Sequence, residues 1–235
     1  EMGMPFRRFF VKKGAPLSYH VHIWEKDNPE IQRMLLFRDY LIQHPEDLKK
    51  YGTLKMDLAK IHPDDIMAYC DKKTDFVLDL DQKAGFKGFR FLRVATTYEK
   101  EAYHRIRKEA IFDLLGVVYD PNHPTLTAPN HHHFVLYKGD IIVGVAHLEF
   151  LEENKVALRP FAIDPAFRNR GYATYFFRVI EKWLRHQHKT QLVLHANPEA
   201  LNFYKSLGFY ENPFTEKKED RINIHTIGLA KDLKS

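Results

Sequence analysis

The chain has 235 residues, 44% of them hydrophobic and 29% charged, which suffices for two modest domains with buried cores. Its longest apolar run, residues 141–146, is far shorter than the roughly 20 residues that a membrane-spanning helix requires. No charged-then-apolar leader is evident, and a single cysteine, Cys70, excludes an internal disulfide. We therefore expect a cytoplasmic protein without membrane partners.

The net charge of +5 is unevenly distributed. Residues 1–85 carry 14 basic and 14 acidic side chains, whereas residues 86–235 carry 22 basic and 17 acidic ones. The excess suits a polyanionic ligand in the second part, although a generic basic surface would give the same balance. The sequence contains no basic stripe with interleaved aromatic residues, so we expect no nucleic-acid partner.

The first part of the chain predicts a hairpin followed by helices. Strand-like segments at 6–12 and 19–24 are joined by Lys13-Gly14-Ala15-Pro16, and Asn28-Pro29 is a typical helix start. His44-Pro45 and His62-Pro63 interrupt the helical pattern and leave two further helices, because proline cannot continue a helix from its interior. Asp81 to Gly88 contains two glycines and is interpreted as a linker.

This part resembles the C-terminal portion of the GrpB-like family of the nucleotidyltransferase superfamily. The matching residues are Phe9-Phe10, His20-Val21-His22, Leu36 to Leu41, Lys55-x-x-Leu58-Ala59 and His62-Pro63-Asp64-Asp65-x-x-x-Tyr69. The family's glycine-serine turn and paired acidic residues, which would hold metal and nucleotide, have no counterpart in this sequence. We therefore interpret residues 1–85 as an incomplete domain and expect no nucleotidyl transfer from it.

Two groups of histidines raise the question of a metal site. His20 and His22 alternate along a strand and share one side, where they could line a phosphate or metal site or simply be hydrogen-bonded polar residues, the interpretation we favour. His131-His132-His133 cannot all face one ion in an extended chain, and the proline-rich residues 121–129 precede them, so we predict a solvated loop. No tetrahedral zinc spacing occurs, and we predict no metal.

The second part predicts alternating strands and helices. A helical region is predicted from Tyr98 to Leu115. The predicted strands are 89–94, 134–137, 140–150 (joined to the preceding one through Lys138-Gly139), 155–163 and 191–196.

Residues 163–173 have the pattern of a strand end, a basic glycine-containing turn and a helix start. Gly171 permits a tight turn and close approach of a ligand, and the helix start presents N–H groups and the positive end of its dipole. Arg168 and Arg170 add positive charge, so the segment could hold a pyrophosphate, although an ordinary strand-to-helix connection has the same pattern. The helix has one apolar stripe, formed by Ala173, Phe176, Phe177, Ile180 and Leu184.

A second strand–helix element follows. Residues 191–196 predict an apolar strand, and Asn197 with Pro198 predicts the cap and first position of a helix that Gly208 ends. Arg168-x-x-Gly171-x-Ala173 and Asn197-x-x-Ala200-x-x-Phe203-Tyr204-x-x-x-Gly208-Phe209 resemble the two motifs of the GCN5-related N-acetyltransferases (GNAT). The resemblance covers about residues 88–235, and it implies a last strand at residues 222–229, with His225.

The resemblance implies an α/β (α+β) fold: a GNAT mixed sheet flanked by helices over residues 86–235, preceded by the smaller hairpin-plus-helices unit of residues 1–85. It also implies acetyl-CoA as cofactor. The residues implied to bind acetyl-CoA are Phe161, Ala162, Ile163, Arg168, Asn169, Arg170, Gly171, Tyr172, Ala173, Asn197, Asn202 and Phe203.

Acetyl transfer to an amine requires an acid for the leaving thiolate and a route for the amine proton. The resemblance implies Tyr204 as the acid, although Tyr204 also lies on one apolar helical face and could simply pack. His147 and Glu149, which alternate on a predicted strand, and His195 are candidates for the base. Structural or substrate-orienting roles are the alternatives for these three residues.

From these features we predict an acetyl-CoA-dependent N-acetyltransferase that acts on a small amine by direct attack on the thioester. One alternative is a non-catalytic acyl-CoA-binding or sensing module. Another is a part of a longer nucleotide-handling GrpB-like protein. No feature of the sequence identifies the acceptor or the oligomeric state.

Overall fold

A computed structural model of the chain describes residues 3–12, 14, 19–152, 154–213 and 226–233. The chain forms two compact units. The first consists of Glu1–Ala102 and Leu136–Ile142, and the second of Tyr103–Val135 and Val143–Ser235. The predicted domain boundary after residue 85 follows sequence similarity, whereas these units follow packing, and the boundary stays a prediction.

The first unit opens with a two-stranded antiparallel hairpin. β1 (Arg7–Lys12) pairs with β2 (Tyr19–Trp24), and Phe9 lies opposite His22. The rings of His20 and His22 both pack edge-on against Phe9, at centroid distances of 5.3 and 4.9 Å, as expected for alternate residues that share one face. The hairpin is therefore confirmed, while most of the predicted turn lies outside the described residues.

Four helices follow the hairpin: α1 (Pro29–Gln43), α2 (Pro45–Ile61), α3 (Ile66–Lys72) and α4 (Thr74–Lys83). The Asn28 side chain accepts a hydrogen bond from the Glu30 amide at 3.0 Å and so caps α1. Of the linker predicted at Asp81 to Gly88, the first three residues belong instead to α4, where Asp81 is 1% exposed, while residues 84–88 connect α4 to β3 and include Phe86, which is 3% exposed. The buried side chains of Asp81 and Phe86 hold this connection in place, although its two glycines had indicated a linker.

The same unit contains a buried network of charged side chains. Arg90, on strand β3 (Phe89–Arg93), donates to Glu30 at 2.6 Å, and both side chains are 6% exposed. Arg33 donates to Asp81 at 2.7 Å and to Glu30 at 3.2 Å. Buried charges persist only when they are paired, so these contacts tie α1 and α4 to β3.

β3 is the first strand of a seven-stranded mixed sheet with the order β3-β4-β5-β6-β7-β9-β8. The pairs β5–β6, β7–β9 and β8–β9 are antiparallel, and β6–β7 is parallel. The predicted α/β class, with a mixed sheet flanked by helices, is confirmed. The remaining strands are β4 (His131–Lys138), β5 (Ile141–Phe150), β6 (Lys155–Ile163), β7 (Gln191–Ala196), β8 (Tyr210–Glu211) and β9 (Ile227–Asp232). Residues 222–225 of the predicted last strand, including His225, lie outside the described residues.

The predicted helix at Tyr98 to Leu115 is present but irregular. α5 (Thr97–Arg107) runs into a π-helical turn at Lys108–Phe112 and then into α6 (Asp113–Leu115). Gly116, with φ of +64°, ends the helical region in a left-handed conformation. A π turn inserts one residue into a helix, and such turns are frequent at functional sites.

Helix α7 (Tyr172–His186) forms much of the second unit's core. Phe176, Phe177, Ile180 and Leu184 are fully buried, so the predicted apolar stripe is confirmed, with Ala173 half-buried at its start. A Cβ atom on Gly144 of β5 would meet Ile163 and Phe176 side-chain atoms at 2.8 and 3.1 Å. Glycine at this position therefore lets α7 pack closely on the sheet. The last helix is α8 (Leu201–Ser206).

Candidate active site

Two parallel strands separate partway along their length. β6 and β7 pair from Lys155 and Gln191 as far as Leu158 and Leu194, while β6 continues to Ile163 and β7 to Ala196. Beyond Leu158, β6 remains paired with β5 on its other side. The last residues of β6 therefore present one backbone edge to an opening between the two strands. An extended ligand with amide groups could pair with this edge.

A β-bulge marks the point where the opening begins. Ala146 of β5 lies opposite Phe161, but Leu148 lies opposite Leu158, so β6 contains one extra residue between these pairs. Pro160 stands within that stretch and has no backbone N–H to donate. His147 of β5 therefore faces the bulge. The sequence predicted both strands but not this shift in register.

The loop after β6 is held by Asp164, which is buried. Its carboxylate accepts from the Ala166 amide at 2.9 Å and from Arg105 at 2.8 Å. A short 3₁₀ turn, Pro165–Phe167, follows, and Asn169 and Gly171 have φ values of +60° and +77°. The chain then enters α7. Asp164 and the two left-handed residues thus shape the predicted strand–turn–helix segment.

Gly171 precedes the first turn of α7, which contains no acidic residue. A Cβ atom built on Gly171 would have no neighbour within 4 Å, so the space beside the helix start is open. Tyr172 and Ala173, the first two residues of α7, are half-buried. Helix N–H groups and the positive end of the dipole favour an anion at such a position.

The two arginines of the loop contact backbone carbonyls. Arg168 donates to Ile163 O at 3.4 Å and to Ala110 O at 3.2 Å, in the π-helical turn. Arg170 donates to Ala166 O at 3.4 Å and lies over the Phe167 ring. Both side chains remain exposed at the loop surface, so their positive charge accompanies the helix start.

The candidate ligand-binding residues of β6 differ in orientation. Phe161 packs against Phe176 and Phe177 of α7, with ring centroids 5.4 and 6.4 Å apart. Ala162, the next residue, is buried and lies on the opposite face of the sheet, while Ile163 returns to the α7 face. Their shared feature is the backbone edge that faces the opening.

The far side of the opening carries the remaining candidates. His195 lies on β7 opposite Gly228, one residue beyond the last pair with β6, and Asn197 precedes a 3₁₀ turn at Pro198–Ala200. Asn197 forms no side-chain cap on that turn, contrary to the capping role predicted for it. Asn202 is exposed on α8 and Phe203 is half-buried there.

Tyr204 lies on α8 within an aromatic cluster. Its ring contacts Phe203 and Phe209 at centroid distances of 5.1 and 5.5 Å, and the residue as a whole is partly exposed. Burial raises the pKa of the Tyr204 phenol well above its ordinary value. In the part of the chain that the structure describes, the Tyr204 hydroxyl has no hydrogen-bond partner.

The sheet face opposite α7 carries a network of histidines. His131 Nδ1 and His147 Nε2 are 2.7 Å apart, and the His133 ring lies 4.4 Å from the His147 ring. His133 in turn contacts the Tyr103 hydroxyl at 2.7 Å, and Arg107 donates to that hydroxyl at 2.6 Å. His147 is 3% exposed, and burial is the main reason why its pKa lies well below the ordinary value.

Glu149 lies beside this network. Its carboxylate forms an ion pair with Arg159, whose Nε atom is 2.7 Å from Oε2. The Nε2 atom of His131 is 3.8 Å from the other carboxylate oxygen, and Asn130 donates to that oxygen at 3.4 Å. Of the predicted proton acceptors, His147 and Glu149 are thus linked through His131, while His195 lies on β7.

The prediction that His131-His132-His133 is a solvated loop is wrong. The three residues begin β4, with His131 and His133 on the face of His147 and His132 on the α7 face, where it contacts Phe150 and Trp183. The alternation of the histidines in a strand would have revealed the shared face, had the strand been recognised. Sequence reasoning also missed Tyr103 and Arg159, which no motif marks.

Neither a membrane segment nor a metal cluster appears among the described residues. None of the helices in residues 3–152, 154–213 and 226–233 is both long and apolar enough to cross a bilayer. Across the same ranges, no group of three or more histidine, cysteine, aspartate or glutamate side chains is arranged to hold a metal ion.

Two known protein families match this chain. The model of the acetyltransferase (GNAT) family matches residues 91–209, about half of the chain. The chain belongs to the acetyltransferase (GNAT) family. In this GNAT protein the matched range includes the opening between β6 and β7, the Gly171 loop, α7 and α8. A second match, to the GrpB protein family, covers residues 1–83. Both resemblances inferred from the sequence are confirmed.

Solved structures support the same fold. A GNAT-family acetyltransferase from Staphylococcus aureus Mu50 superposes with a TM-score of 0.52 at 16% identity, over 63% of this chain and 100% of that chain. The ribosomal-protein-S18-alanine N-acetyltransferase from Escherichia coli superposes with a TM-score of 0.50 at 16% identity, over 63% of this chain and 96% of that chain. Likeness at these identities shows the fold alone.

A curated relative shares a shorter segment. The UPF0157 protein YqkA of Bacillus subtilis is 44% identical over 84 residues, which is 36% of this GNAT chain and 24% of YqkA. The chain thus spans about a quarter of the length of that relative.

Proposed function

We propose that the protein is an acyl-CoA-dependent N-acetyltransferase that transfers an acetyl group from acetyl-CoA to a small amine. The observation that carries this proposal is the opening between β6 and β7, which continues directly into the left-handed Gly171 at the start of α7. It offers a strand edge for an extended amide-containing chain and a helix start for a polyphosphate within one continuous segment. We assign the acetyltransferase domain to residues 86–235 and an incomplete GrpB-like portion to residues 1–85.

In this proposal the backbone of Phe161–Ile163 pairs with the pantetheine arm, and the turn from Arg168 to Gly171 holds the pyrophosphate together with Tyr172 and Ala173. The empty space beside Gly171 fits a phosphate group that approaches the backbone closely. Asn197, Asn202 and Phe203 line the far side of the opening. Bound acetyl-CoA would supply the acetyl group as a thioester that a neutral amine can attack.

The chain's own side chains would handle the protons. Tyr204, whose phenol pKa is raised by burial and whose hydroxyl is therefore protonated at neutral pH, is the proposed proton donor to the departing thiolate. His147 and Glu149 are the proposed proton acceptors on the opposite side of β6, and His195 is proposed to orient the substrate.

Thermal shift with acetyl-CoA tests the binding assignment. We expect acetyl-CoA to raise the melting temperature of the wild-type protein, because a ligand that binds only the folded state stabilises it. Gly171→Val should abolish that shift, because a β-branched side chain blocks the approach of the phosphate and disfavours positive φ. Gly116→Val is a matched control: Gly116 also has positive φ, +64°, and no atom within 4 Å of a built Cβ.

The control separates ligand binding from backbone strain. Gly116→Val should lose stability to a similar extent as Gly171→Val, yet keep the full response to acetyl-CoA. Equal responses in both variants would contradict the assignment of the loop. Turnover is tested on the same preparations with a panel of small amines, by following release of the free thiol. Binding without turnover of any amine would instead support a sensing module.

A further inference from the structure

Asp164 connects the sheet to the loop that is proposed to hold the pyrophosphate. Its amide donates to Val143 O of β5 at 2.9 Å, and its carboxylate accepts from the Ala166 amide at 2.9 Å. This one residue therefore fixes both the end of β6 and the direction of the 3₁₀ turn that follows it. The Asp164 side chain is only 7% exposed, and a carboxylate that is buried in this way requires charged or hydrogen-bonding partners.

Arg105 on α5 is the charged partner of that carboxylate. Its Nη2 atom donates to Asp164 Oδ2 at 2.8 Å, while Oδ1 is the atom that accepts from Ala166. One carboxylate oxygen is thus held by the turn and the other by the helix. Arg105 also contacts Glu109 at 3.1 Å, but both of those side chains are nearly half exposed, so solvent screens the attraction between them.

A second contact joins the same helical region to the other end of the 3₁₀ turn. Arg168, directly after Pro165–Phe167, donates to Ala110 O at 3.2 Å. Ala110 lies in the π-helical turn that continues α5. Asn169, the next residue of the loop, has a φ of +60°, which is uncommon for residues other than glycine. The shape of the loop therefore depends on its contacts with α5 and the π turn as well as on its own sequence.

The charge of Asp164 matters because of the ligand that the loop is proposed to bind. A pyrophosphate is an anion, and an uncompensated carboxylate at the start of its loop would repel it. Arg105 supplies the compensating charge from the helix side. No atom of Arg105 lies within 4 Å of a Cβ built on Gly171, so the space for the phosphate stays open.

We propose that Arg105 is a positioning residue for acetyl-CoA: through Asp164 it sets the turn before the pyrophosphate loop and cancels the carboxylate charge there. This inference rests on the proposed binding of acetyl-CoA at that loop. Arg105 itself has no contact with the reacting atoms. Loss of its contact with Asp164 lowers the fraction of protein whose loop is ready to bind, and the apparent dissociation constant rises accordingly.

Arg105→Gln tests this assignment, because glutamine favours a helix and keeps a donor but carries no charge. We expect Kd for acetyl-CoA, measured by titration calorimetry, to rise about tenfold, the scale of one charge-assisted hydrogen bond. KM for acetyl-CoA should rise with it while kcat stays unchanged, because only binding is weakened. Arg105→Lys, which keeps the charge, should bind more tightly than Arg105→Gln.

Lys108→Gln is the matched control for the loss of one positive charge. Lys108 lies three residues further along the same helical region and pairs with Asp113 at 2.8 Å, away from the loop, so its replacement should leave Kd unchanged. An equal rise in Kd in Lys108→Gln and Arg105→Gln would show that only long-range charge is at work. That result would overturn the assignment of Arg105, as would a wild-type Kd in Arg105→Gln.

A double-mutant cycle establishes whether Arg105 acts through Asp164. Asp164→Asn keeps the oxygen that accepts from Ala166 but removes the charge, so adding Arg105→Gln to it should change Kd little. An equal rise in Kd in both backgrounds would overturn the proposal. If Arg105→Gln alone does not fold, a difference in Kd between Asp164→Asn with and without Arg105→Gln still overturns it. Failure of the wild-type protein to bind acetyl-CoA would overturn the proposed function as well.

Discussion

The Tyr204 side chain illustrates how one residue can have two physical roles. Its ring packs between Phe203 and Phe209, and the ring of Phe209 contacts Phe177 of α7 at 5.4 Å. Packing alone would be satisfied by phenylalanine. The hydroxyl, which has no partner in the described part of the chain and a raised pKa, is the only feature that distinguishes tyrosine from phenylalanine here.

Tyr204→Phe should therefore lower kcat by about a hundredfold and leave both the melting temperature and acetyl-CoA binding nearly unchanged. The substitution keeps the aromatic contacts and removes only the proton donor. Turnover and melting temperature are measured on the same sample. Full activity with normal stability would remove Tyr204 from the mechanism, and a loss of roughly 1 kcal/mol in stability with activity retained would indicate a structural hydrogen bond instead.

Which residues lie near the site could be predicted from local sequence, but which of them touch could not. Gly171 was predicted as a turn residue because a tight strand-to-helix connection favours glycine, and its φ of +77° agrees. The ion pair of Glu149 with Arg159 depends on the register of β5 and β6, which the bulge shifts by one residue. No pattern within either strand records that shift.

At the scale of whole elements, two histidines hold the segment of residues 117–130 against α5 and β4. The Tyr119 hydroxyl lies 2.5 Å from His104 Nδ1 on α5, and Thr125 O accepts from His133 Nε2 on β4. Burial is the main cause that lowers the pKa of His104, and it lowers the pKa of His133 to about 4. Both histidines are thus neutral in the folded protein at neutral pH.

Stability should consequently fall as the pH is lowered from about 6.5 to about 4. Below pH 6.5 the unfolded chain protonates its histidines, whereas folded His133 stays neutral until about pH 4, so the unfolded state binds more protons. The contribution of His133 over this interval is on the order of 3 kcal/mol. In urea denaturation at several pH values, the free energy of unfolding should change less with pH in His133→Gln than in the wild-type protein. The glutamine keeps an N–H donor for Thr125 O. If the free energy of unfolding depends on pH equally in both proteins, His133 is not the source of the pH dependence.

The boundaries of helices and strands were predicted best where the hydrophobic pattern ends at proline, asparagine or another turn residue. β6 and β7 match the predicted residues 155–163 and 191–196, because apolar runs end at turn residues there. The start of β4 was missed because prolines precede the histidines and histidine carries little strand signal. The π turn at Lys108–Phe112 was missed because it has the same apolar pattern as a regular helix, yet it supplies the Ala110 carbonyl that Arg168 contacts.

At the scale of the whole molecule, similarity and packing divide the chain differently. The GrpB match covers residues 1–83 and the GNAT match residues 91–209, whereas the first compact unit consists of Glu1–Ala102 and Leu136–Ile142. Glu30 and Arg90 are 60 residues apart in sequence and form a buried pair within that unit. Charge counts showed no net charge in residues 1–85 but could not show that a carboxylate there pairs with an arginine beyond them.

Removing only one member of this pair should strongly destabilise the first unit. Burial alone would raise the pKa of Glu30, but Arg90 and Arg33 outweigh it and lower the pKa, so the carboxylate stays ionised. Glu30→Met leaves the Arg90 guanidinium buried without its partner and should lower the free energy of unfolding by about 3–5 kcal/mol. Urea denaturation, with the melting temperature as a second measure, quantifies the loss.

The double variant Glu30→Met with Arg90→Met separates the value of the pair from the cost of an orphaned charge. Removing both charges and filling the space with apolar side chains should recover most of the stability that Glu30→Met loses, because two desolvated ions are then avoided. Arg90→Met alone should be destabilised as strongly as Glu30→Met. If the two losses simply add in the double variant, the side chains act independently, and the contacts between α1 and β3 depend on packing instead of charge.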